Sequence, residues 1–83
     1  MKTVTLKVRQ TPVVIRTPFI RLDALLKLSG AVLSGGEAKF EIQSGRVEVD
    51  GAVCTQRGKK LIPGQTVVCG GKRYIVTAEE GTL

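Results

Sequence analysis

Two short stretches of this 83-residue chain have the residue types that handle phosphate. Leu33-Ser34-Gly35-Gly36-Glu37 places bare backbone amides behind a hydroxyl, and Arg57-Gly58-Lys59-Lys60 places cations around a glycine. Nucleotide hydrolysis would need Gly-x-x-x-x-Gly-Lys followed by Ser or Thr, whose amides and lysine cradle the phosphates, together with an acid for magnesium. Gly58-Lys59 would require Gly where Val53 stands, and Gly71-Lys72 would require Gly where Thr66 stands. Neither lysine is followed by a hydroxyl residue. The chain has no histidine, so a Ser or Cys nucleophile lacks its usual base. Cys54 and Cys69 are too few and too far apart for a metal site and read as reduced thiols. Glu48 and Asp50 share the solvent face of an expected strand, and nothing in the spacing makes Asp23 and Glu37 converge. No catalytic residue, metal ligand, cofactor or small-molecule substrate is expected.

What remains is binding. Thirteen basic residues against seven acidic ones give a net charge of +6, on a chain that is 42% hydrophobic and so folded rather than disordered. The charge is segregated. Lys2, Lys7, Arg9, Arg16 and Arg21 precede the first acid, and Arg57, Lys59, Lys60, Lys72 and Arg73 occupy an acid-free run from Gly51 to Thr77. One polyanion can engage several such positions at once, which favours nucleic acid over a merely basic surface. The Met-Lys-Thr start leads into alternating residues rather than a signal peptide, and no apolar run reaches the roughly 18 residues of a membrane span. A cytoplasmic protein with no membrane partner is expected, in one domain spanning residues 1–83.

The elements that must position these residues follow from periodicity. Thr3 to Val8 alternates and predicts a strand, interrupted at Thr11-Pro12, with a second short strand at Val13 to Ile15. After Pro18, Leu22, Leu25, Leu26 and Ser29 recur at helical spacing and Gly30 supplies a stop, predicting a first helix near residues 19–29. Ser34-x-x-Glu37 is a capping box, starting a second helix from Gly35 to Ser44 that ends at Gly45. Ala38 and Ile42 share its buried face, and Phe40, about 160° from Ala38, is exposed or covered by another element. Val47 and Val49 then alternate with polar residues, Asp50-Gly51 predicts a type I′ hairpin into Ala52 to Cys54, and Thr55 to Lys60 forms a basic loop. Thr66 to Cys69, a Gly70-Gly71 turn and Arg73 to Thr77 form a second hairpin. The result is an α+β domain: two short helices packed on a small twisted, mostly antiparallel sheet with an additional N-terminal strand. Its expected core is Val4, Leu6, Leu22, Leu25, Leu26, Ala38, Ile42, Val47, Val49, Val67 and Ile75.

The ordered set Arg21-Leu22-Asp23, Leu25, Gly30, Ser34, Ala38-Lys39, Ile42, Gly45, Val47, Val49-Asp50-Gly51, covering about residues 20–69, resembles the S4-type RNA-binding domain, the alpha-L motif. Ser34-Gly35-Gly36 and Arg57 to Leu61 look like its small stand-alone bacterial members, the YaaA/YbcJ-like group. The resemblance implies binding of structured RNA, such as ribosomal RNA, transfer RNA or a ribosomal particle, without catalysis. The segregated charge and the expected phosphate contacts, read independently of the resemblance, place Arg21 and Lys27 of the first helix, Ser34, Gly35, Gly36 and Lys39 of the second, and Arg57, Gly58, Lys59 and Lys60 of the loop along one groove. Three positions depart from the family pattern: many members carry Arg where Gly35 stands, an acid where Gln65 stands, and Asn where Asp50 stands.

Phe19, Phe40 and Tyr74 are the only aromatic residues, too sparse for a sheet-surface reader of single strands, so phosphate and shape contacts are expected. The competing expectation, from a different class, is a basic protein-interaction adaptor that docks a partner through Phe40 or the strand at residues 3–8.

Overall fold

The computed structural model describes residues 10–79. The order is β1 (Gln10–Ile15), β2 (Ile20–Arg21), α1 (Leu22–Leu28), α2 (Gly35–Gln43), β3 (Val47–Val49), β4 (Ala52–Val53), β5 (Lys60–Leu61), β6 (Thr66–Cys69) and β7 (Lys72–Ala78). Five strands form one sheet in the order β1-β7-β6-β3-β4, and β2 and β5 form a separate two-stranded ribbon. Among the described residues only β1 and β7 pair in parallel; the other pairs are antiparallel. The strand expected at residues 3–8, with Val4 and Leu6, lies outside the described residues.

The helices are cut from the sequence by matching signals. Ser34 caps α2, its hydroxyl accepting the Glu37 N–H at 3.1 Å, while the Glu37 carboxylate accepts the Leu33 N–H at 2.7 Å, one residue earlier than the reciprocal bond of a standard capping box. Both helices end in a Schellman closure. Ala31 N–H donates to the Leu26 carbonyl and Gly30 N–H to that of Lys27; Arg46 donates to Glu41 and Gly45 to Ile42.

The first helix starts three residues later than its periodicity suggested. Ile20 and Arg21 are extended and pair with Leu61 and Lys60, so Leu22 is the first helical residue. The apolar spacing itself begins at Leu22; Phe19 had only followed a proline. Pro12 also fails to break the first strand, because β1 is an edge among the described residues and its proline needs no ladder N–H on the open side.

The core lies between the two helices and one face of the sheet. Leu22, Leu25, Leu26, Ala38, Ile42, Val47, Leu61 and Val67 are fully buried, with Val49 and Val76 close behind. The expected Ile75 is only half-buried, and Tyr74 and Val76 take the inward positions. The turn decides this. Gly70 and Gly71 have φ of 63° and 79°, a two-residue turn that fixes Val67 opposite Tyr74 and Thr66 opposite Ile75. With Val67 inward its partner Tyr74 must be inward too, and Ile75 falls on the other face. Burial pushes the Cys69 thiol up, with Glu41 adding to the effect, so it is a poor nucleophile; Cys54 is also free.

Candidate nucleic-acid interface

A helix of seven residues leaves its first amides without partners in its own backbone. In α1 the basic loop supplies them: Leu22 N–H donates to the Lys59 carbonyl at 2.8 Å and Asp23 N–H to the Arg57 carbonyl at 3.1 Å. The loop is thus bound to the helix through main chain, without drawing on its charged side chains. Asp23 then gathers two of the arginines. Its Oδ2 lies 3.2 Å from an Arg21 terminal nitrogen and 3.5 Å from Arg57 Nε. A Cβ on Gly58 would meet the Arg21 guanidinium at 3.6–3.9 Å, so Arg21 lies against the bare backbone of the loop.

The three loop cations do not point one way. Arg57 turns to Asp23. Lys60 stands opposite Arg21 across the β2-β5 ribbon, with its Nζ 4.8 Å from the centre of the Phe19 ring. Like charges directly opposite each other repel, and the π face of Phe19 offsets part of that. Lys59 lines a cleft with Asp50 on the far side of the loop.

Lys27 lies four residues after Asp23, on the same side of α1. Its ammonium is 3.9 Å from the point where Gly35 would carry a Cβ. The Lys27 ammonium of the neighbouring helix thus stands beside position 35, where the missing side chain leaves room for it. The Gly35 and Gly36 amides take part in no hydrogen bond among the described residues, and Lys39, four residues beyond Gly35, is exposed on the same side of α2. Lys27, Lys39, Lys59 and Lys60 form no ion pair among the described residues. Two groups result: Arg21, Arg57, Gly58 and Lys60 around the start of α1, and Lys27, Ser34, Gly35, Gly36 and Lys39 around the start of α2. Lys59 stands apart.

Sequence reasoning missed the organising role of Asp23 and the Phe19-Lys60 pair. Arg21-Leu22-Asp23 did carry a signal, an acid within an otherwise basic surface. The short ribbon that brings Arg57 to it did not. Among the described residues no group of His, Cys, Asp and Glu is arranged to hold a metal, and no helix is long and apolar enough to cross a membrane.

The remaining two departures from the family pattern are one interaction. Asp50, at φ 51°, accepts the Thr66 N–H at 2.9 Å, the Thr66 hydroxyl at 3.3 Å and the Gln65 side-chain amide at 2.8 Å. Asn at 50 with an acid at 65 would make the same bridge with donor and acceptor exchanged. Asp50→Asn is expected to set amide against amide, and Gln65→Glu carboxylate against carboxylate. The double variant should recover most of the loss, with a coupling of about 0.5–1 kcal/mol at this exposed position, read from thermal melts of all four proteins. Additive losses would refute the exchange.

The Thr66 backbone bond, then the Gln65 amide, hold the Asp50 carboxyl below the ordinary carboxylate range. The stability it adds is fully present above the unfolded carboxyl value of about 3.9 and is lost as pH falls through the lower folded value. The melting temperatures of wild type and Asp50→Asn should therefore separate above about pH 5 and converge as pH falls through the lowered folded value. A constant separation would refute it.

The S4 domain model matches residues 13–77, and the chain belongs to that family. It is 46% identical over 61 residues to YbcJ of Escherichia coli and, equally, to YbcJ of Shigella flexneri, covering 74% of this chain and 87% of each relative. The solution structure of Escherichia coli YbcJ, described as revealing an alpha-L motif involved in RNA-binding, superposes with a TM-score of 0.62 at 37% identity, over 94% of this chain and 98% of that one. A tyrosine–tRNA ligase of Burkholderia lata is 41% identical over 54 residues, 65% of this chain but only 13% of the ligase. The α+β architecture of two helices on a mostly antiparallel sheet is that of the alpha-L motif fold.

Proposed function

We propose that the protein binds structured RNA, without catalysis, through backbone and shape contacts made by the two basic groups at the starts of α1 and α2. The observation that carries this reading is the basic loop bonded by its own carbonyls to the first amides of α1. Such a loop presents Arg57 beside Arg21 at little cost in conformational freedom when a phosphate arrives, and Asp23 sets their orientation. The Gly35 and Gly36 amides, at the positive end of α2 and beside the Lys27 ammonium, receive a second phosphate. Lys39, Lys59 and Lys60 extend the field around these contacts. Ribosomal RNA, transfer RNA or a ribosomal particle in the cytoplasm is the partner class. Similarity to part of a tyrosine–tRNA ligase and to YbcJ supports it.

Binding to ribosomal RNA fragments and to transfer RNA, measured over a range of salt, tests the reading. With three to five phosphates neutralised, log K against log salt should slope by roughly −2 to −4.5. A slope near zero, or no complex at low salt, overturns it.

A second reading rests on Phe40, which is 59% exposed with the Arg46 guanidinium 5.4 Å from its ring centre. As a protein-docking residue it requires a partner that stays bound through ribonuclease and high salt; loss of every co-purifying protein after ribonuclease rejects that reading.

A further inference from the structure

The helices cover one face of the sheet. Strand register fixes what stands on the other: Val14 of β1, Arg73 and Ile75 of β7, Val68 of β6, Glu48 of β3 and Val53 of β4 alternate with the inward residues of their strands. Val14 and Val53 are more than half exposed, and Val68 and Ile75 between them are half-buried. An apolar sheet face left open in a two-layer domain is a surface for a further layer.

Two charges on the face identify that layer. Arg73, Val68 and Glu48 stand in one row across β7, β6 and β3, so the charges are rooted about 10 Å apart with an apolar residue midway. Neither forms an ion pair among the described residues, whereas Arg16 and Glu79, just beyond the ends of β1 and β7, pair with each other at 2.8 Å. Arg73 Nε is buried without a hydrogen-bond partner among the described residues, which holds the guanidinium against the sheet with its charge unanswered. A row of cation, apolar residue and anion is complementary to a copy of itself turned through half a turn.

We infer that the chain forms a two-fold symmetric dimer through this face, with Arg73 of each protomer paired to Glu48 of its partner on either side of a centre where the two Val68 side chains meet. The axis lies between the two sheets and parallel to β6, which is the aligned packing of sheet on sheet. Packed sheets are about 10 Å apart, a gap that an arginine and a glutamate reaching from opposite sides close end to end. The face carries one charge of each sign, so two molecules of net charge +6 meet there without like charges opposed. It measures about 20 Å by about 14 Å, on the order of 300 Å² in plan, below the roughly 800 Å² per partner of a stable complex, and this sets a dimer in exchange with monomer at a Kd on the order of 10–100 µM. The helices lie on the far side of each sheet, so both protomers keep the starts of α1 and α2 open.

Sedimentation equilibrium of the whole wild-type chain from about 20 to about 500 µM should show the dimer, and a monomer throughout that range overturns the inference. Arg73→Glu and Glu48→Arg, each alone, set like charges together at both pairs and should each weaken self-association by about tenfold or more, with folding checked by circular dichroism. Mixed in equal amounts, the two variants restore opposite charges at both pairs, and their heterodimer should return to within about threefold of the wild-type Kd. Recovery when both changes share one chain, without recovery in the mixture, places the pair inside a protomer and overturns the inference. Single variants that associate like wild type also overturn it. Dilution of the wild type followed by NMR needs no variant: the methyl signals of Val14, Val68 and Ile75 should move with concentration while those of the exposed Leu33 stay fixed. Movement confined to the helix layer overturns the placement of the dimer on this face.

Discussion

Leu61→Ala is expected to lower stability by about 2–5 kcal/mol and the melting temperature by about 10 °C or more. Leu61 is fully buried, while every residue from Thr55 to Lys60 and from Ile62 to Gly64 is exposed apart from it. It is thus the apolar anchor of the whole basic loop, holding the β2-β5 ribbon against the core so that the Arg57 and Lys59 carbonyls reach the first turn of α1. A domain of this size has only about 5–15 kcal/mol in total, so the loss is a large fraction. RNA affinity should fall as well, even at temperatures where the variant is folded, because the loop loses the register that places Arg57 beside Asp23. Leu33→Ala is the control. Leu33 is 90% exposed, and its removal should change stability by less than about 0.5 kcal/mol. If both variants melt alike, Leu61 is not the anchor.

That anchor also marks where the sequence stopped being readable. The second helix was legible because its start and stop are local: Ser34 and Glu37 are three residues apart and the Schellman closure needs only Gly45. The hairpin at Asp50-Gly51 was legible for the same reason, with φ of 51° and 87° demanding such residues. The β2-β5 ribbon was not. Two-residue strands have no periodicity, and their pairing joins residues about forty positions apart through backbone groups that every sequence possesses. Placing Ile75 in the core was an avoidable error, since a two-residue turn at Gly70-Gly71 with Val67 inward already requires Tyr74 inward. Phe40 could be placed by its helical angle, and it is exposed, as one of the two alternatives had it.

The site shows the same division. Charge and family pattern name candidate residues, but the grouping of those residues in space is not legible in either. Arg57, Lys59 and Lys60 read as one cluster along the chain, whereas the structure sends them to Asp23, to the cleft beside Asp50 and to Phe19. Arg57 and Gly58 form a turn closed by the Lys59 N–H on the Gln56 carbonyl, which sends Arg57 and Lys59 in different directions, and the adjacent Lys59 and Lys60 lie where β5 begins and neighbouring side chains alternate between faces, so this run of charges is not one patch in space. Conversely, Lys27 and Gly35 belong to different helices and look unrelated in sequence. Yet the Lys27 ammonium stands beside position 35.

Gly35→Asp is expected to separate RNA binding from folding. Position 35 lies in the first turn of α2, outside the left-handed region, and a Cβ there meets nothing closer than Lys27 Nζ at 3.9 Å, so the side chain fits. Replacing a helical glycine removes unfolded-state freedom, and a carboxylate in the first turn gains about 0.3–1 kcal/mol from the helix dipole. Thermal stability should hold or rise. Binding should go the other way. The new carboxylate competes with phosphate for the Gly36 amide region and neutralises the Lys27 ammonium, removing one or two charge-assisted contacts of about 1.5–3 kcal/mol each. The expected loss is about tenfold to a hundredfold in affinity, with the salt slope flattened by about 1–2. Gly35→Arg places a cation at the same point and should retain binding. That contrast excludes a purely steric effect, because arginine is the larger of the two side chains. Equal affinity of Gly35→Asp and wild type would overturn the phosphate contact at the start of α2 while leaving Arg21 and Arg57 at the start of α1 as the site to test next.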